Sequence, residues 1–280
     1  MDIDQHLDMD RHLAAFSAQN PQAIAQTPRA TIWRVDTNAG PAVLKILTQE
    51  GLKARELEGA QALRLWDGVG AVRLLGLNDN ALLMDWLPGP TLGDLARKGQ
   101  DIAAAHHLAD VAQALRRPAQ PDFDDLRIYG AALTRADCAN MPAVYANAFA
   151  RAQALWQHLL DSTQQTRFLH ADLHHDNILQ GPNGWCAIDP KGVNGDPCYE
   201  FANALKNPVG METQVADPVR ISALAQLFAQ TAHLDPSRII AFGFAHAALS
   251  LSWHMERGVL PEAGLIVLAA FDKLCDAPLP

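Results

Sequence analysis

The chain has 280 residues, of which 49% are hydrophobic and 19% are charged, and its formal net charge is −9. This composition is typical of a folded protein with a substantial core and excludes a disordered chain. The acidic balance argues against a general nucleic-acid-binding protein, because such proteins draw their affinity from Lys and Arg on phosphates.

The first third of the chain predicts strands around one helix. TIWRV (31–35) and AVLKI (42–46) flank the turn cluster DTNAG, and AVRLLGL (71–77) and ALLMDWL (81–87) flank NDN, so each pair predicts a hairpin. Between them, ELEGAQALRLW (56–66) predicts a helix that ends before two glycines. PGPTLGD then breaks the pattern, which places a boundary between domains 1–87 and 88–280.

The remainder of the chain is predicted to be mostly helical. Periodic apolar residues and flanking prolines predict helices over 101–117, 142–160, 218–232, 236–257 and 261–274. The fourth of these segments is apolar nearly all round and is predicted to be buried.

Cysteine usage, the N-terminal stretch and the lack of a long apolar run predict a cytoplasmic protein. The cysteines lie far apart, at Cys138, Cys186, Cys198 and Cys275, with no C-x-x-C pair, so neither a disulfide framework nor a zinc knuckle is expected. The N-terminal MDIDQHLDMDRHLAAF is acidic and unlike a signal peptide. No apolar run approaches the roughly 20 residues that span a bilayer. We expect no nucleic-acid or membrane partner, and the choice between monomer and homodimer stays open.

The stretch FLHADLHHDNILQGPNGWCAIDPKG (168–192) has the most informative polar residues. NILQ and WCAI read as strands around the turn GPNG. Pairing them as a hairpin places Asn177 beside Asp189 at its open end, with Asp172 on the loop before it. Two side-chain oxygens suit Mg²⁺, and a nearby carboxylate can accept a proton from a hydroxyl. These are the groups that phosphoryl transfer requires.

HADLHHDN followed by IDPKG and GDPCYE resembles the aminoglycoside phosphotransferase family, and within it the aminoglycoside/hydroxyurea kinase branch that includes streptomycin 6-kinases. The resemblance implies an α+β, two-lobed protein-kinase-like fold, with an antiparallel sheet plus a helix in the N-lobe and a mostly helical C-lobe. It also implies direct transfer of phosphate from ATP, with Mg²⁺, to a hydroxyl of a small molecule. The acceptor is expected to be cationic and is an aminoglycoside such as streptomycin by the family's name.

The same resemblance assigns roles to individual residues. Asp172 is the catalytic base, His170 supports its loop, and Asn177 and Asp189 hold Mg²⁺. Lys45 contacts the nucleotide phosphates. The backbone of a hinge takes the adenine edge, and its residues are Met84, Asp85, Trp86 and Leu87.

Lys45 lies in a strand where it shares one face with Val43 and Leu47, and a lysine on an inner face needs an anionic partner. We expect Glu58 to be that partner, because it shares a helical stripe with Ala54, Ala62 and Leu65 and has the expected spacing to the leucines that follow. Glu56, which shares a stripe with Ala60 and Leu63, is the alternative.

Several polar residues have weaker assignments. AQTPRA (25–30) lacks the glycines typical of a phosphate-binding loop, so Thr27 or Arg29 is expected to contact phosphate instead. Lys191 either reaches the transferred phosphate or pairs with a neighbouring acid. Asp196 and Glu200 are candidates for contacts with a cationic substrate.

The histidines of the catalytic stretch invite a metal interpretation. His174 and His175 are expected to be loop residues near an anionic substrate site, because no cysteine lies at the spacing of a zinc motif. His246 and His254 are expected to be hydrogen-bonded core or cleft residues.

Three other functions stay open. The first is a small-molecule metabolite kinase for a sugar or amino alcohol. The second is a nucleotide-binding pseudokinase, against which the joint presence of Lys45, Asp172, Asn177 and Asp189 argues. The third is a metal-dependent hydrolase built on the His and Asp cluster, which leaves the Lys45 strand and the hinge unexplained.

Overall fold

The structure, a computed structural model, describes residues 3–275 and the side chains of residues 9–275. The chain divides into two compact units. The sheet unit runs to Gly89 and also contains Leu179–Lys191, and the helical unit contains Pro90–Ile178 and resumes at Gly192. The first break lies two residues beyond the predicted boundary. The grouping of 179–191 with the sheet unit is not anticipated by a single boundary.

The described residues form the following strands and α-helices. The strands are β1 Gln19–Gln26, β2 Ala30–Thr37, β3 Gly40–Leu47, β4 Leu74–Asn78, β5 Ala81–Asp85, β6 Arg117–Pro118, β7 Arg167–Leu169, β8 Ile178–Gly181, β9 Gly184–Ala187 and β10 Val193–Gly195. The helices are α1 Ile3–Ala15, α2 Gln49–Lys53, α3 Glu56–Trp66, α4 Leu92–Arg97, α5 Asp101–Leu115, α6 Leu126–Tyr129, α7 Ala131–Arg135, α8 Ala143–Asp161, α9 Glu212–Val215, α10 Pro218–Ala232, α11 Pro236–Met255 and α12 Glu262–Leu274.

The sheet unit is built on a five-stranded antiparallel sheet in the order β1-β2-β3-β5-β4. Both hairpins predicted from the sequence, β2–β3 and β4–β5, are confirmed, as is the hairpin β8–β9. Strand β1 was not predicted, because its sequence QNPQAIAQ is exposed along its whole length and lacks apolar alternation.

The sheet has a packed core on each face. On one face Leu44 and Val35 pack with Met9 of α1, and on the other Leu47 packs with Ala60 of α3. Because side chains alternate along a strand, Lys45 points to the same face as Leu47. The sequence pattern therefore places a lysine among apolar groups beside α3.

The helical unit has its core around α11, which is buried on nearly all sides as predicted from its sequence. Trp156 and Phe242 pack tilted or edge-on against the buried ring of Tyr199. Strands β6, β7 and β10 form a small antiparallel sheet in the order β10-β7-β6. Strand β7 overlaps the start of the stretch 168–192, and β10 directly follows its end. No helix between residues 3 and 275 is both long enough and apolar enough to cross a bilayer.

Candidate active site

A group of charged side chains in the sheet unit surrounds Glu56. Lys45 Nζ lies 3.2 Å from Glu56 Oε2 and 2.9 Å from Asp189 Oδ1. Lys191 Nζ and an Arg29 guanidinium nitrogen lie 3.2 Å and 3.3 Å from Glu56 Oε1. The Lys45 and Glu56 side chains are only 9% and 7% exposed, so their interaction takes place largely out of water. We call these five residues the lysine cluster.

The opposite charges of the lysine cluster maintain one another's ionised forms. Burial opposes the charge on Lys45, but the carboxylates of Asp189 and Glu56 outweigh it and raise the lysine pKa above its ordinary value. Burial likewise opposes the charge on Glu56, whereas the ammonium groups of Lys191 and Lys45 lower the glutamate pKa. Lys45 is therefore a fixed cation at neutral pH, which is what a phosphate-binding lysine requires.

The partner of Lys45 is Glu56, so the prediction that named Glu58 was wrong. Glu58 forms a salt bridge with Arg55, and both side chains are at least one-third exposed. An exposed pair of this kind contributes little to stability.

A break between two helices explains the error. Arg55 has a φ of 61°, and α3 begins at the next residue, Glu56. Ala54 therefore lies outside α3 and defines no stripe with Glu58. The buried face of α3 instead includes Glu56, Ala60 and Leu63, which are spaced four and three residues apart.

The segment that follows β9 reaches Glu56 because α3 carries a glycine at the point of contact. A Cβ on Gly59 would lie 2.3 Å from the Pro190 carbonyl oxygen, so a larger residue would push the segment away. Asp189 and Lys191 flank Pro190, and both belong to the lysine cluster. Lys191 thus pairs with an acid, which was one of its two predicted roles.

The β1–β2 turn contains the two residues proposed to replace a glycine-rich loop. The Thr27 hydroxyl donates to the Ala30 carbonyl oxygen and accepts the backbone N–H groups of Arg29 and Ala30, so it closes the turn. The Arg29 side chain extends to Glu56. Contact of either residue with phosphate stays a prediction.

The predicted hinge consists of the last two residues of β5 and the two residues that follow it. Met84 and Leu87 are buried, whereas Asp85 and Trp86 are half-buried. Leu87 packs on the β8–β9 hairpin so closely that a Cβ on Gly181 would lie 2.9 Å from it. Adenine binding by this backbone stays a prediction.

The loop that carries Asp172 belongs to the helical unit. The Asp172 backbone N–H donates to His170 Nδ1 at 3.3 Å, and the Asp172 carbonyl oxygen accepts from Asn177 Nδ2 at 3.0 Å. Asn203 Nδ2 donates to Asp172 Oδ1 at 2.8 Å. Backbone and side chain of Asp172 are therefore both held by hydrogen bonds.

The loop that carries Asp172 has one residue in an unfavourable backbone conformation. Ala171 has a φ of 65°, in the left-handed region that favours glycine. Holding an alanine there costs about 1 kcal/mol relative to its ordinary conformations. Glycine would avoid that cost.

Glu200 is buried and holds the backbone of the loop that carries Asp172, which contradicts its prediction as a substrate contact. Its Oε2 accepts the backbone N–H of His170 at 2.9 Å, and among the described residues its buried Oε1 has no hydrogen-bond partner. Burial raises the pKa of Glu200 to about 8, although the N–H groups of His170 and Ala171 act in the opposite direction. A carboxyl group buried in this position supports the backbone of the loop.

The structure also overturns the prediction for Asp196. Its side chain is 6% exposed and lies 2.8 Å from an Arg238 guanidinium nitrogen. Its Oδ1 accepts the backbone N–H of Cys198 at 3.0 Å and so caps a short 3₁₀ helix. Because Asp196 is buried and paired with Arg238, its role is structural.

His175 was expected to lie near an anionic substrate site, but its side chain is fully buried. Neither ring nitrogen has a hydrogen-bond partner among the described residues, and burial lowers its pKa to about 3. Neighbouring His174 accepts the backbone N–H of Asp176. Within the described residues, no three His, Cys, Asp or Glu side chains are grouped to hold a metal ion. His246 is a core residue, as predicted, and its Nδ1 lies 2.8 Å from the Tyr199 hydroxyl.

A network of amides behind Asp172 was not identified from the sequence. Asn207 Nδ2 donates to the carbonyl oxygen and to Oδ1 of Asn203, at 2.9 Å each. The Asn207 carbonyl oxygen accepts from Arg220, which also forms two hydrogen bonds to Asp101. The available signal was the four-residue spacing of the two asparagines in ANALKNP, which brings side chains together on one turn of helical backbone.

A cavity of about 230 Å³ lies within the helical unit. Its polar side chains are those of Lys206, Asn207, Glu212, Ser250 and His254. Its apolar lining comes from residues of the 208–215 segment, α11 and α12. Burial lowers the pKa of Lys206 to about 8, although the charge of Asp172 acts in the opposite direction. The cavity lining therefore contains one carboxylate, that of Glu212, and one lysine whose charged form is disfavoured by burial. Hydrogen bonds from Asn207 to Asn203 and from Asn203 to Asp172 connect the lining to Asp172.

The chain is similar to known kinases over most of its length. Residues 16–258 match the family model described as aminoglycoside/hydroxyurea antibiotic resistance kinase. A streptomycin 3''-kinase from Klebsiella pneumoniae is 33% identical, over 78% of this chain and 81% of that protein. A hydroxyurea phosphotransferase from Kitasatospora aureofaciens is 28% identical, over 81% of this chain and 66% of that protein.

A likeness to solved structures supports the fold. An aminoglycoside phosphotransferase solved with ADP and hygromycin B has a TM-score of 0.64 and 16% identity, and the match covers 96% of each chain. At this identity the likeness concerns the kinase-like α+β fold alone. The family match and the 33% identical kinase go further: the chain belongs to the aminoglycoside/hydroxyurea antibiotic resistance kinase family and is a small-molecule phosphotransferase.

Proposed function

We propose that the chain transfers the γ-phosphoryl group of ATP to a hydroxyl of a cationic small molecule, with streptomycin-like aminoglycosides as the first candidates. The observation that carries this proposal is the buried pair of Lys45 and Glu56 with Asp189 beside it. A lysine held as a cation by two carboxylates is suited to bind the phosphates of a nucleotide.

Nucleotide binding is assigned to residues of the sheet unit. Lys45 contacts the phosphates, and Glu56 keeps the lysine side chain extended toward them. Thr27 and Arg29 of the β1–β2 turn are the candidates for further phosphate contacts, the hydroxyl through the turn that it closes. The hinge backbone from Met84 to Leu87 is the candidate for the adenine edge.

Asn177 and Asp189 are assigned as the residues that would hold Mg²⁺. Asn177 uses its Nδ2 to contact the Asp172 carbonyl oxygen, which leaves its Oδ1 as the ligand atom, and Asp189 supplies carboxylate oxygens. An amide oxygen and a carboxylate fit the preference of this ion for a few oxygen ligands. When bound, Mg²⁺ neutralises phosphate charge and orients the phosphate oxygens.

Asp172 is assigned to the acceptor hydroxyl. Its carboxylate accepts a hydrogen bond from the hydroxyl, orients the oxygen toward the γ-phosphorus, and takes the proton as the new P–O bond forms. The bond between the γ-phosphorus and its bridging oxygen breaks, ADP leaves with that oxygen, and the proton passes from Asp172 to solvent. Positioning and electrostatics account for most of the rate in such transfers.

The acceptor is assigned to the 230 Å³ cavity of the helical unit. Glu212 offers a carboxylate to an ammonium or guanidinium group, and the relative from Klebsiella pneumoniae is named for streptomycin. The lining also favours a second candidate, an amino alcohol or amino sugar with one cationic group. A site with Lys206 and a single carboxylate gives a polycation little charge compensation.

Incubation of the purified chain with ATP, Mg²⁺ and a panel of acceptors tests the proposal. The panel contains streptomycin, other aminoglycosides, hydroxyurea, choline and amino sugars, and mass spectrometry detects the phosphate ester. We expect an ester with at least one cationic acceptor and a raised acceptor KM in Glu212→Gln. Nucleotide binding without phosphorylation of any acceptor would instead indicate a pseudokinase.

A further inference from the structure

We propose that Asn203 is a positioning residue that fixes the carboxylate of Asp172 in the orientation needed for transfer. The inference rests on the proposed function, because it assigns Asn203 a part in the work of the catalytic base. Asn203 does not itself contact substrate or nucleotide in this assignment. It acts through one hydrogen bond, from its Nδ2 to Asp172 Oδ1 at 2.8 Å.

The network around Asn203 determines which end of its amide faces Asp172. Asn203 Oδ1 accepts a hydrogen bond from Asn207 Nδ2 at 2.9 Å, so the oxygen is used on the side away from Asp172. The NH₂ group must then face the carboxylate, which has only acceptor atoms when ionised. A flipped amide would place two oxygens against each other at Asp172 and two NH₂ groups against each other at Asn207.

The donor is anchored by residues farther from Asp172. Asn207 also donates to the Asn203 carbonyl oxygen at 2.9 Å, so it holds both the backbone and the side chain. Arg220 donates to the Asn207 carbonyl oxygen at 2.9 Å and is held by Asp101 through two bonds of 2.7 Å and 2.9 Å. Asn203, Asn207 and Arg220 are all less than 10% exposed. Buried, connected networks of this kind restrict side chains to one arrangement.

A hydrogen bond to one oxygen of a carboxylate fixes the plane of the whole group. With Oδ1 of Asp172 held by Asn203, the direction of Oδ2 is fixed as well. Because Asn207 also lines the cavity assigned to the acceptor, the cavity wall and the carboxylate belong to one hydrogen-bonded unit. Losing this restraint is expected to lower the fraction of time that Asp172 faces an acceptor hydroxyl, and to lower kcat without weakening nucleotide binding.

A double-mutant cycle separates this role from a purely structural one. We expect Asn203→Ala to lower kcat roughly 10- to 100-fold at nearly unchanged KM for ATP, as a small misplacement of a reacting group does. In an Asp172→Ala background the same change should cost nothing further, because the group that Asn203 positions is already gone. Asn203→Asp is the second variant: it preserves the acceptor for Asn207, has no donor when ionised, and should also lower kcat.

Asn194 supplies a matched control in the same unit. It is 8% exposed, as is Asn203, and its side chain bonds the backbone of Gln120 and Phe123. Asn194→Ala is expected to lower the melting temperature at nearly unchanged kcat. An equal kcat loss from Asn203→Ala with and without Asp172 would assign Asn203 to the fold alone and overturn the inference.

Crystal structures of the wild type and Asn203→Ala provide a readout that does not depend on activity. We expect a single Asp172 conformer in the wild type and either a different or a second conformer in the variant. An unchanged Asp172 in Asn203→Ala would overturn the inference. If the wild type phosphorylated no acceptor while Asp172 still moved in the variant, the proposed function would fail and the positioning role would stand.

Discussion

Lys45 and Glu56 form a buried ion pair with 3.2 Å between Nζ and Oε2, while Glu58, only two residues farther along α3, pairs with exposed Arg55. The two glutamates thus belong to different environments within one helical turn. Glu56 also accepts from Lys191 and lies close to Asp189, so its loss affects the whole lysine cluster.

Replacement of Glu56 is expected to impair both stability and nucleotide use. Glu56→Gln removes the only glutamate of the lysine cluster and leaves its cations less compensated, which is expected to lower the unfolding free energy by about 3 kcal/mol. The same change should lower kcat/KM for ATP at least about tenfold, because Lys45 loses a restraint on its position.

Glu58→Gln is the matched control for this prediction. An exposed pair contributes about 0–1 kcal/mol, so denaturation and ATP kinetics should stay close to the wild type. Equal effects of the two substitutions on kcat/KM for ATP would contradict the role given to Glu56.

Glu200 makes stability depend on pH in an unusual direction for a carboxyl group. The pKa of the side chain is near 4.5 when unperturbed and about 8 in the folded protein. Between these values the folded state retains a proton that the unfolded chain releases, so this group stabilises the fold less as pH rises. Glu200→Gln cannot ionise, and its Oε1 can still accept from the backbone N–H of His170. Its melting temperature should match the wild type near pH 4.5 and exceed it increasingly up to about pH 8.

Thermal melting at several pH values measures this difference. Glu262→Gln, at an exposed position, should show a constant offset from the wild type over the same range. A constant offset for Glu200→Gln as well would show that Glu200 is ionised in the fold.

Asp196 is expected to affect stability without affecting the acceptor. Asp196→Asn breaks a pair whose aspartate is 6% exposed, and leaving Arg238 uncompensated should cost about 3 kcal/mol. The KM for the acceptor should not change. Asp217→Asn serves as the control, because the exposed Asp217 also caps a helix and asparagine caps about equally well. A raised acceptor KM at unchanged stability would return Asp196 to the substrate site.

Ala171→Gly is expected to stabilise the protein by about 1 kcal/mol, because glycine adopts positive φ without the steric cost that alanine pays. The same substitution at exposed Ala114 in α5 should destabilise by about 1 kcal/mol. Chemical denaturation of both variants measures the two effects. Destabilisation by Ala171→Gly would show that the positive φ at residue 171 does not destabilise the wild-type loop.

The elements predicted from sequence were those with a strong local pattern. Apolar runs around turn residues identified three hairpins, and periodic apolar residues identified the long helices. Strand β1 has neither signal, since its side chains are exposed and its pairing with β2 alone defines it. Its position depends on a neighbouring strand, which a local pattern does not report.

The sequence identified site residues that lie in recognisable local motifs, but it misjudged residues whose environment depends on distant packing. Lys45, Asp172 and Asn177 lie in segments whose spacing is specific to the chemistry. The choice of Glu56 over Glu58 depends on where α3 begins, and that start is set by the left-handed Arg55. The burial of Glu200, Asp196 and His175 depends on packing against distant segments, which charge and spacing do not reveal.

We propose that this chain phosphorylates a hydroxyl through Asp172. The most direct measurement compares the wild type with Asp172→Asn in ATP-dependent formation of a phosphate ester on the best acceptor, alongside nucleotide affinity. We expect the variant to bind nucleotide normally and to lose about 10²- to 10⁴-fold in kcat. Undiminished phosphorylation by Asp172→Asn would show that Asp172 is not the base that accepts the hydroxyl proton.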